Sequence, residues 1–217
     1  MQNLLLDLDG TLVDPARGIV RSFQAALMDL AFPPPASDDL TWIIGPPLRD
    51  TFRKVLGSDD QVENALACYR RHYSSAGIYD ADVYAGVREA LATLKAEGRR
   101  LVICTSKLES FARSVLDHFE LRSLVDEVYG AELGGRLDDK GVLIADILLK
   151  EKFSVAETVM IGDRLHDIHA ARRHGVVSIG VLWGYGGKDE LVEAGATLLC
   201  ASPHQLVECV RQLTVSC

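Results

Sequence analysis

The sequence has no long hydrophobic run. Its apolar stretches are short, as in Leu4–Leu6 and Leu101–Ile103, whereas a membrane-spanning helix needs about 20 consecutive apolar residues. The first residues carry neither the basic region nor the small-residue cleavage site of a secretory signal. We therefore expect a cytoplasmic protein without a membrane partner.

Cysteines are few, and their spacing does not suggest pairs. The five cysteines, at positions 68, 104, 200, 209 and 217, form no CxxC pair, and their number is odd. A disulfide framework is built from an even number of regularly spaced cysteines, so this class of fold is excluded. We expect reduced, buried thiols, and we expect Cys104 to pack as a small hydrophobic side chain.

Basic residues are fewer than acidic residues. The chain has 23 Lys and Arg residues against 31 Asp and Glu residues, which gives a formal net charge of -8. Surfaces that bind nucleic acid polymers are usually basic, so the acidic balance argues against that class of partner. A small anionic substrate is compatible with it, because a few local cations or one metal ion can reverse the field inside a cleft.

Short apolar runs alternate with helical patterns along most of the 217 residues. The predicted strands are Asn3–Leu6, Arg100–Cys104, Val125–Tyr129, Thr158–Ile161, Val176–Leu182 and Thr197–Cys200. The predicted helices are Val87–Glu97, Leu108–Phe119, Gly141–Lys150, Asp167–His174 and one that begins after Pro203. Strands that alternate with helices of this length form a parallel sheet with helices on both faces, so we predict an α/β fold.

Residues 16–80 break this alternation. They contain helical patterns near Ile19–Leu30, Leu48–Val55 and Val62–Tyr73, separated by Pro- and Gly-rich breakers, and no convincing strand. We interpret the segment as an inserted helical cap. The predicted division is therefore a core formed by residues 1–15 and 81–217, with a cap at 16–80.

Two carboxylates follow the first predicted strand, in a string that reads LLLDLDGTLVD from residue 4 to residue 14. Ligands of doubly wound sheets bind at the carboxyl ends of strands, and Gly10 permits a tight turn whose backbone N–H groups face an anion. Asp7 at this edge can attack phosphorus and form an aspartyl-phosphate. Asp9 can protonate the leaving alcohol and then activate water. For the Asp pair alone, an acidic turn that caps a strand is the alternative interpretation.

The string resembles the first motif of the haloacid dehalogenase superfamily, whose three further motifs follow in a fixed order. The second, a Thr or Ser after an apolar strand, matches Thr105 and the adjoining Ser106. The third, a Lys at the start of a helix, matches Lys140, although many relatives have Lys-Pro where this chain has Lys-Gly. The fourth, an apolar strand that ends in GDxxxD, matches Asp163 and Asp167.

The resemblance implies a role for each matched residue and a Rossmann-like doubly wound parallel sheet with an inserted all-helical cap. It implies that Mg²⁺ is held by oxygen ligands, which this ion prefers. The implied ligands are the carboxylates of Asp7 and Asp163, the backbone carbonyl of Asp9 and, through water, Asp167. The implied catalytic residues are Asp7, Asp9, Thr105 and Lys140, and Gly10, Thr11 and Ser106 would contact the substrate. Since carboxylates dominate, we interpret the nearby His166 and His169 as polar helix-face residues and not as zinc ligands.

The implied function is a Mg²⁺-dependent phosphatase that acts on a small phosphorylated metabolite. The residue corresponding to Asp9 is absent from true dehalogenases, so dehalogenation is not expected. The cap resembles those of the branch that contains phosphoglycolate phosphatases and 5′-nucleotidases, and both 2-phosphoglycolate and nucleoside 5′-monophosphates remain open as substrates. Arg49, after a rigid Gly-Pro-Pro turn, either contacts an anionic group of the substrate or is solvated.

Two other functions remain open, and so does the oligomeric state. A sugar-phosphate mutase of the β-phosphoglucomutase type would use the same aspartyl-phosphate and return the phosphoryl group to a sugar. A catalytically silent phosphate-binding protein with a regulatory role would keep the fold without turnover. The sequence is compatible with a monomer and with a homodimer.

Overall fold

The structure is a computed structural model that describes residues 1–35 and 40–215. The strands are β1 (Asn3–Leu6), β2 (Val13–Asp14), β3 (Asp82–Val83), β4 (Arg100–Leu108), β5 (Glu127–Ala131), β6 (Thr158–Gly162), β7 (Val177–Val181) and β8 (Leu198–Cys200). The helices are α1 (Ala16–Asp29), α2 (Leu48–Leu56), α3 (Val62–Ser75), α4 (Val87–Ala96), α5 (Glu109–His118), α6 (Lys140–Glu151), α7 (Leu165–Arg173), α8 (Lys188–Ala194) and α9 (Leu206–Val215).

Six of the strands form one parallel sheet in the order β5-β4-β1-β6-β7-β8. β1 lies between its two partners, with Leu5 opposite Val102 of β4 and Met160 of β6. From β1 the chain first builds outward through β4 and β5, and it then returns to the other side of β1. This reversal beside β1 is the switch in strand order at which doubly wound sheets bind ligands. The predicted α/β class is confirmed.

Both faces of the sheet are covered, which explains why the strands are apolar without interruption. Leu4 and Leu6 face the layer that contains α4, α5 and α9, whereas Leu5 faces the layer that contains α6 and α7. Cys104 is fully buried in the second layer, as expected, and burial raises the pKa of its thiol to about 12. The cysteines at 68, 104, 200 and 209 are free. Those at 104, 200 and 209 are buried as expected, whereas Cys68 is partly exposed, and Cys217 lies outside the described residues.

Residues 16–80 form helices α1 to α3 and two short 3-10 segments, Thr41–Ile43 and Gly77–Tyr79. No strand occurs in this block within the part of the chain that the structure describes. A small antiparallel ribbon of β2 and β3 brackets the block. It was not predicted, because two residues per strand are too few to show a periodicity. The exact division at residues 16 and 80 stays a prediction.

Several predicted boundaries were wrong by a few residues. β4 continues to Leu108 instead of ending at Cys104, because its pairing with β5 resumes at Leu108 after a register shift that follows Thr105. β5 begins two residues later than predicted, at Glu127, and α7 begins two residues earlier, at Leu165. Thr105 therefore lies within a strand and not directly after it.

None of the described helices combines the length and the apolar character that crossing a membrane requires.

Phe52 of α2 provides a test of the helical block. It is fully buried and stacks on Phe23 of α1 with ring centroids 4.8 Å apart. Phe52→Ala should lower the free energy of unfolding by about 3–5 kcal/mol, because it removes apolar contacts and leaves a cavity. Urea denaturation measures the change. Met28→Ala, at a side chain that is 69% exposed, should stay within about 0.5 kcal/mol of the parent protein. Equal losses for the two variants would contradict the described packing.

Candidate active site

Three buried carboxylates meet at the carboxyl edge of the sheet. Asp7 follows β1, Asp163 follows β6, and Asp167 lies in the first turn of α7. The Asp7 N–H donates to the carbonyl of Ile161 at 2.9 Å, which fixes the end of β1 against β6. One oxygen from each of the three side chains lies within 4.8 Å of the other two. Neighbouring parallel strands thus bring together residues that are far apart in the sequence.

Two glycines make room for this cluster. Gly10 has a φ of +85°, and a Cβ there would lie 2.3 Å from Oδ2 of Asp163. A Cβ on Gly162 would lie 2.2 Å from Cγ of Asp167. Both distances are far below van der Waals contact, so any larger residue would displace a carboxylate. Gly10 therefore shapes the acid cluster as well as the turn for which it was predicted.

Lys140 neutralises part of the cluster. It is the first residue of α6, whose amino end is capped by Asp139 through the N–H of Val142 at 2.9 Å. Its Nζ lies 2.9 Å from Oδ1 of Asp7 and also pairs with Oδ1 of Asp167. Burial alone would lower the pKa of Lys140, but the two carboxylates outweigh burial, and the pKa is raised. Lys140 stays protonated and bridges the two acids.

One ammonium is not enough for three carboxylates. Burial raises the pKa of Asp7, with Lys140 opposing the rise and Asp167 adding to it. Burial likewise raises the pKa of Asp163 well above its usual range, and the charges of Asp167 and Asp7 raise it further. Oδ2 of Asp163 accepts the N–H of Tyr185 at 2.7 Å, while its buried Oδ1 has no partner among the described residues. Excess buried negative charge and an unpartnered carboxylate oxygen fit a divalent cation that prefers oxygen ligands.

Asp9 points away from this group. Its Oδ2 accepts a hydrogen bond from Nζ of Lys107 at 2.5 Å, and its Oδ1 is buried without a partner in the described part of the chain. Burial raises the pKa of Asp9, and Lys107 partly offsets that rise. Nζ of Lys107 also lies 4.6 Å from the ring centroid of Tyr73, on α3. Lys107 follows the predicted Thr105-Ser106 pair directly, but no role was predicted for it.

The hydroxyl side chains of Thr105 and Ser106 line the same cavity as Asp7 and Asp9, whereas that of Thr11 does not. Thr105 is buried, and its Oγ1 accepts the backbone N–H of Lys107 at 3.2 Å. Oγ of Ser106 and Oγ1 of Thr11 are buried and have no partner among the residues described. The structure thus places the predicted Thr105 and Ser106 beside Asp7 and Asp9, around one cavity.

The cavity lies between the carboxyl edge of the sheet and the helical block, and its volume is about 90 Å³. Asp7 and Asp9 form its floor, and aromatic side chains form much of its wall. Tyr69 and Tyr73 stack with ring centroids 5.4 Å apart, and Phe111 lies 5.3 Å from Tyr73. The site can therefore hold a phosphoryl group at the acids and a small leaving group against an apolar wall.

The cavity also contains two arginines from the helical block. Arg49, the predicted substrate contact, lines the cavity, but it pairs with Glu63 and with Asp138, the latter at 3.2 Å. Arg70 lines the same cavity and has no ion-pair partner within residues 1–35 and 40–215. Burial lowers the pKa of Arg70, and the positive charge of Arg49 lowers it further. The carboxylate of Asp138 opposes this lowering, but among the described residues Arg70 makes no direct ion pair, and sequence analysis did not single it out.

A wider groove of about 680 Å³ adjoins the site and is lined in part by Lys140, His166 and His169. Neither histidine belongs to the acid cluster, which is the one potential metal-binding group found among the described residues. The interpretation of the histidines as polar helix-face residues is compatible with this position.

Comparison with known proteins connects this geometry to a family. The sequence model of the family described as "Haloacid dehalogenase-like hydrolase" matches residues 4–181. A 5′-nucleotidase of Pseudomonas aeruginosa is 40% identical over 92% of this chain and 90% of its own length. A phosphoglycolate phosphatase of Caulobacter vibrioides is 32% identical over 99% of this chain and 92% of its own length.

A solved structure and a differently named relative complete the comparison. The crystal structure of a predicted phosphatase from Clostridium acetobutylicum superimposes with a TM-score of 0.92, at 32% identity over 97% of this chain and 98% of that one. The tyrosine-protein kinase PtkA of Mycobacterium tuberculosis is 37% identical over 91% of this chain and 68% of its own length. Similar chains thus carry names that differ in substrate and, for the kinase, also in the reaction.

The crowded acids predict an unusual dependence of stability on pH in metal-free protein. The pKa of Asp163 is higher in the folded state than the value near 3.8 for an unperturbed carboxyl. Asp163 therefore stabilises the folded state below pH 3.8, where it is protonated, and this stabilisation is lost as the pH rises through the folded-state pKa. Asp163→Asn should remove the loss and raise the free energy of unfolding at pH 7.5 in EDTA by about 0.5–2 kcal/mol.

Urea denaturation with and without Mg²⁺ measures this effect. Added Mg²⁺ should stabilise the parent protein and leave Asp163→Asn nearly unchanged. The exposed Asp117 provides the control, since Asp117→Asn should match the parent protein in both conditions. A variant at Asp163 that is less stable than the parent protein in EDTA would contradict the described electrostatics.

Proposed function

Since the chain belongs to the haloacid dehalogenase-like hydrolase family and is a phosphatase, we propose that it hydrolyses a small phosphate monoester through an aspartyl-phosphate on Asp7. The observation that carries the proposal is the pairing of Asp7 with Lys140 at 2.9 Å beside a second, separately held acid, Asp9. Asp7 is fixed for attack, and Asp9 keeps one oxygen, Oδ1, without a partner among the described residues and so available for proton transfer. These are the two roles that a phosphatase of this type requires.

In the first step, a carboxylate oxygen of Asp7 attacks phosphorus, and the bond between phosphorus and the ester oxygen breaks. Asp9 gives its proton to the departing oxygen, so the alcohol leaves neutral. The raised pKa of Asp9 favours this proton-carrying form. In this proposal Lys140, Thr105 and Ser106 stabilise the charge on the transferred phosphoryl oxygens. The N–H groups of the predicted Gly10–Thr11 turn donate instead to the carbonyls of Val13 and Leu8, at 2.8 and 3.3 Å.

In the second step, Asp9 takes a proton from a water molecule, and the water oxygen attacks phosphorus. The bond between phosphorus and Asp7 breaks, which releases inorganic phosphate and restores the carboxylate. Asp9 is then protonated again and ready for the next ester. Lys140 stays protonated throughout, because its pairing with Asp7 and Asp167 raises its pKa.

We propose Mg²⁺ as the cation that the acid cluster holds. The residues that would bind it are Asp7 and Asp163 through carboxylate oxygens, Asp9 through its backbone carbonyl, and Asp167 through water. The ion would supply positive charge to the phosphoryl oxygens and lower the repulsion between substrate and acids. Support comes from the three buried carboxylates and the unpartnered Oδ1 of Asp163.

Two substrate classes are supported by different observations. The similarity to a 5′-nucleotidase and the aromatic wall of the cavity favour a nucleoside 5′-monophosphate. The similarity to a phosphoglycolate phosphatase, the small cavity and the unpaired Arg70 favour 2-phosphoglycolate, whose carboxylate would pair with that arginine. In either case we propose a small phosphorylated metabolite as the partner, and neither a nucleic acid polymer nor a membrane.

The covalent scheme predicts the effect of removing each acid. Asp7→Asn should lower kcat by at least about 10⁴-fold, because the nucleophile is lost. Asp9→Asn should lower kcat by about 10²–10⁴-fold, because proton transfer is lost. Phosphate release from an aryl phosphate measures both, in the presence of Mg²⁺ and after EDTA. Asp117→Asn is the control for purification and folding.

Four outcomes would contradict parts of this scheme. Full activity of Asp7→Asn would exclude the aspartyl-phosphate, and full activity in EDTA would exclude the metal. If a labelled phosphoenzyme passes its label to a sugar phosphate faster than to water, the protein is a mutase. If the parent protein releases no phosphate from any ester, the silent regulatory function takes the place of the phosphatase.

Arg70 provides the test between the two substrates. If the substrate carries a carboxylate, Arg70→Met should lower kcat/KM for 2-phosphoglycolate by about 10–100-fold, since a charged hydrogen bond is lost. The same variant should leave kcat/KM for an aryl phosphate whose aryl group is uncharged within about threefold of the parent value. Arg71→Met is the matched control, because Arg71 is 66% exposed and pairs with Asp29 outside the cavity. Higher activity on nucleoside 5′-monophosphates, unaffected by Arg70→Met, would favour the nucleotide instead.

A further inference from the structure

Arg164 connects three separate parts of the molecule. It lies between β6 and α7, directly after Asp163, and its side chain is 12% exposed. Its Nη1 donates to the backbone carbonyl of Ile44, in the helical block. Its Nε donates to Oε1 of Glu190 on α8 at 2.9 Å, and Glu190 also accepts the N–H of Leu165 at 2.8 Å. The guanidinium is therefore held by the core on one side and holds the helical block on the other.

Gly45 fits closely against the same side chain. Its φ is +102°, and a Cβ at this position would lie 2.6 Å from Cγ of Arg164. The backbone of residues 44–45 thus packs directly on the aliphatic part of Arg164, and no larger residue fits without displacing it. Gly45 and the two prolines that follow form part of the cavity wall. The segment that Arg164 contacts is therefore the one that borders the reaction space.

The backbone of Arg164 belongs to the acid cluster. Its N–H donates to Oδ2 of Asp167 at 3.0 Å, and Oδ1 of Asp167 pairs with Lys140. Lys140 in turn pairs with Asp7. A continuous series of hydrogen bonds and ion pairs thus runs from the Ile44 carbonyl through Arg164 to the nucleophile. A displacement of residues 44–47 would therefore change the surroundings of Arg164, which is linked to Asp7 through Asp167 and Lys140.

We propose that Arg164 is a positioning residue that holds the segment 44–47 against the acid-bearing loop and so shapes the cavity wall for catalysis. Glu190 orients the guanidinium, and Gly45 provides the space in which it lies. This inference rests on the proposed phosphatase function only for its kinetic consequence. The structural contact itself can be tested without turnover.

The first test measures hydrogen exchange in metal-free protein. The amides of Ile43 and Ile44 donate within their own turn, to the carbonyls of Leu40 and Thr41 at 3.1 and 3.0 Å. In Arg164→Met these two amides should exchange at least about tenfold faster, since the bond that anchors the turn to the core is lost. Arg172→Met is the matched control. Arg172 lies on α7 and also donates to a backbone carbonyl, that of Ala194 at 2.8 Å, within the core.

The second test measures kinetics with the parent protein and its variants in Mg²⁺. Arg164→Met should lower kcat/KM by about tenfold or more, while the Mg²⁺ concentration for half-maximal activity stays that of the parent protein. Glu190→Gln should give a smaller loss, because Arg164 keeps its bond to Ile44 but loses its orientation. The double variant should be no worse than Arg164→Met alone, since both residues act through one contact.

If the amides of Ile43 and Ile44 exchange in Arg164→Met at the rate of the parent protein, the proposal is overturned, whatever the activity of that variant. Equal acceleration in Arg172→Met also overturns it, because the effect would then be general loosening of α7. A raised Mg²⁺ requirement with unchanged exchange would assign Arg164 to the acid loop alone and likewise overturn it. If the parent protein lacks phosphatase activity altogether, the kinetic test fails for every variant alike, and the exchange result still decides the positioning role.

Discussion

The rest of the site depends on the burial of three carboxylates around one ammonium group. Asp7, Asp163 and Asp167 repel one another at the edge of the sheet, and Lys140 compensates only part of their charge. Buried charges of this kind are costly unless they are paired. The surrounding glycines, backbone N–H donors and ion pairs can be understood as the structure that keeps these acids in place. The unbalanced negative charge fits a cation, and the cation proposed above would in turn attract an anionic phosphoryl group.

Most of the fold and the acids of the site could be predicted from the sequence. Continuous apolar runs such as Leu4–Leu6 mark strands that are covered on both faces, and the carboxylates directly after β1 and β6 must meet if those strands are neighbours. The resemblance to the haloacid dehalogenase superfamily implied that these acids form one site. Element ends were less predictable, because pairing with an adjacent strand extended β4 beyond its apolar run.

Residues that act through long side chains were not predictable in the same way. Lys107 donates to Asp9, and Arg164 donates to Ile44, which is 120 positions away in sequence. No local sequence pattern indicates which partner the charged end of a long, flexible side chain will contact. Arg49 shows the converse limit. Its position after a rigid turn suggested a substrate contact, but its charge is taken up by Glu63 and Asp138, while Arg70 faces the cavity unpaired among the described residues. Which arginine is neutralised depends on tertiary contacts and not on the turn that precedes it.

The central position of β1 has a consequence for synthesis of the chain. β1 is made first, but Asn3 pairs with Thr158, which is 155 residues later. Contacts of such long range form late, and domains fold as units as the chain leaves the ribosome. Asp7 can therefore join Asp163 and Asp167 only after β6 has been synthesised and has docked beside β1. A chain truncated before β6 would contain Asp7 and Lys140 but neither Asp163 nor Asp167, so it would hold only one of the three clustered carboxylates.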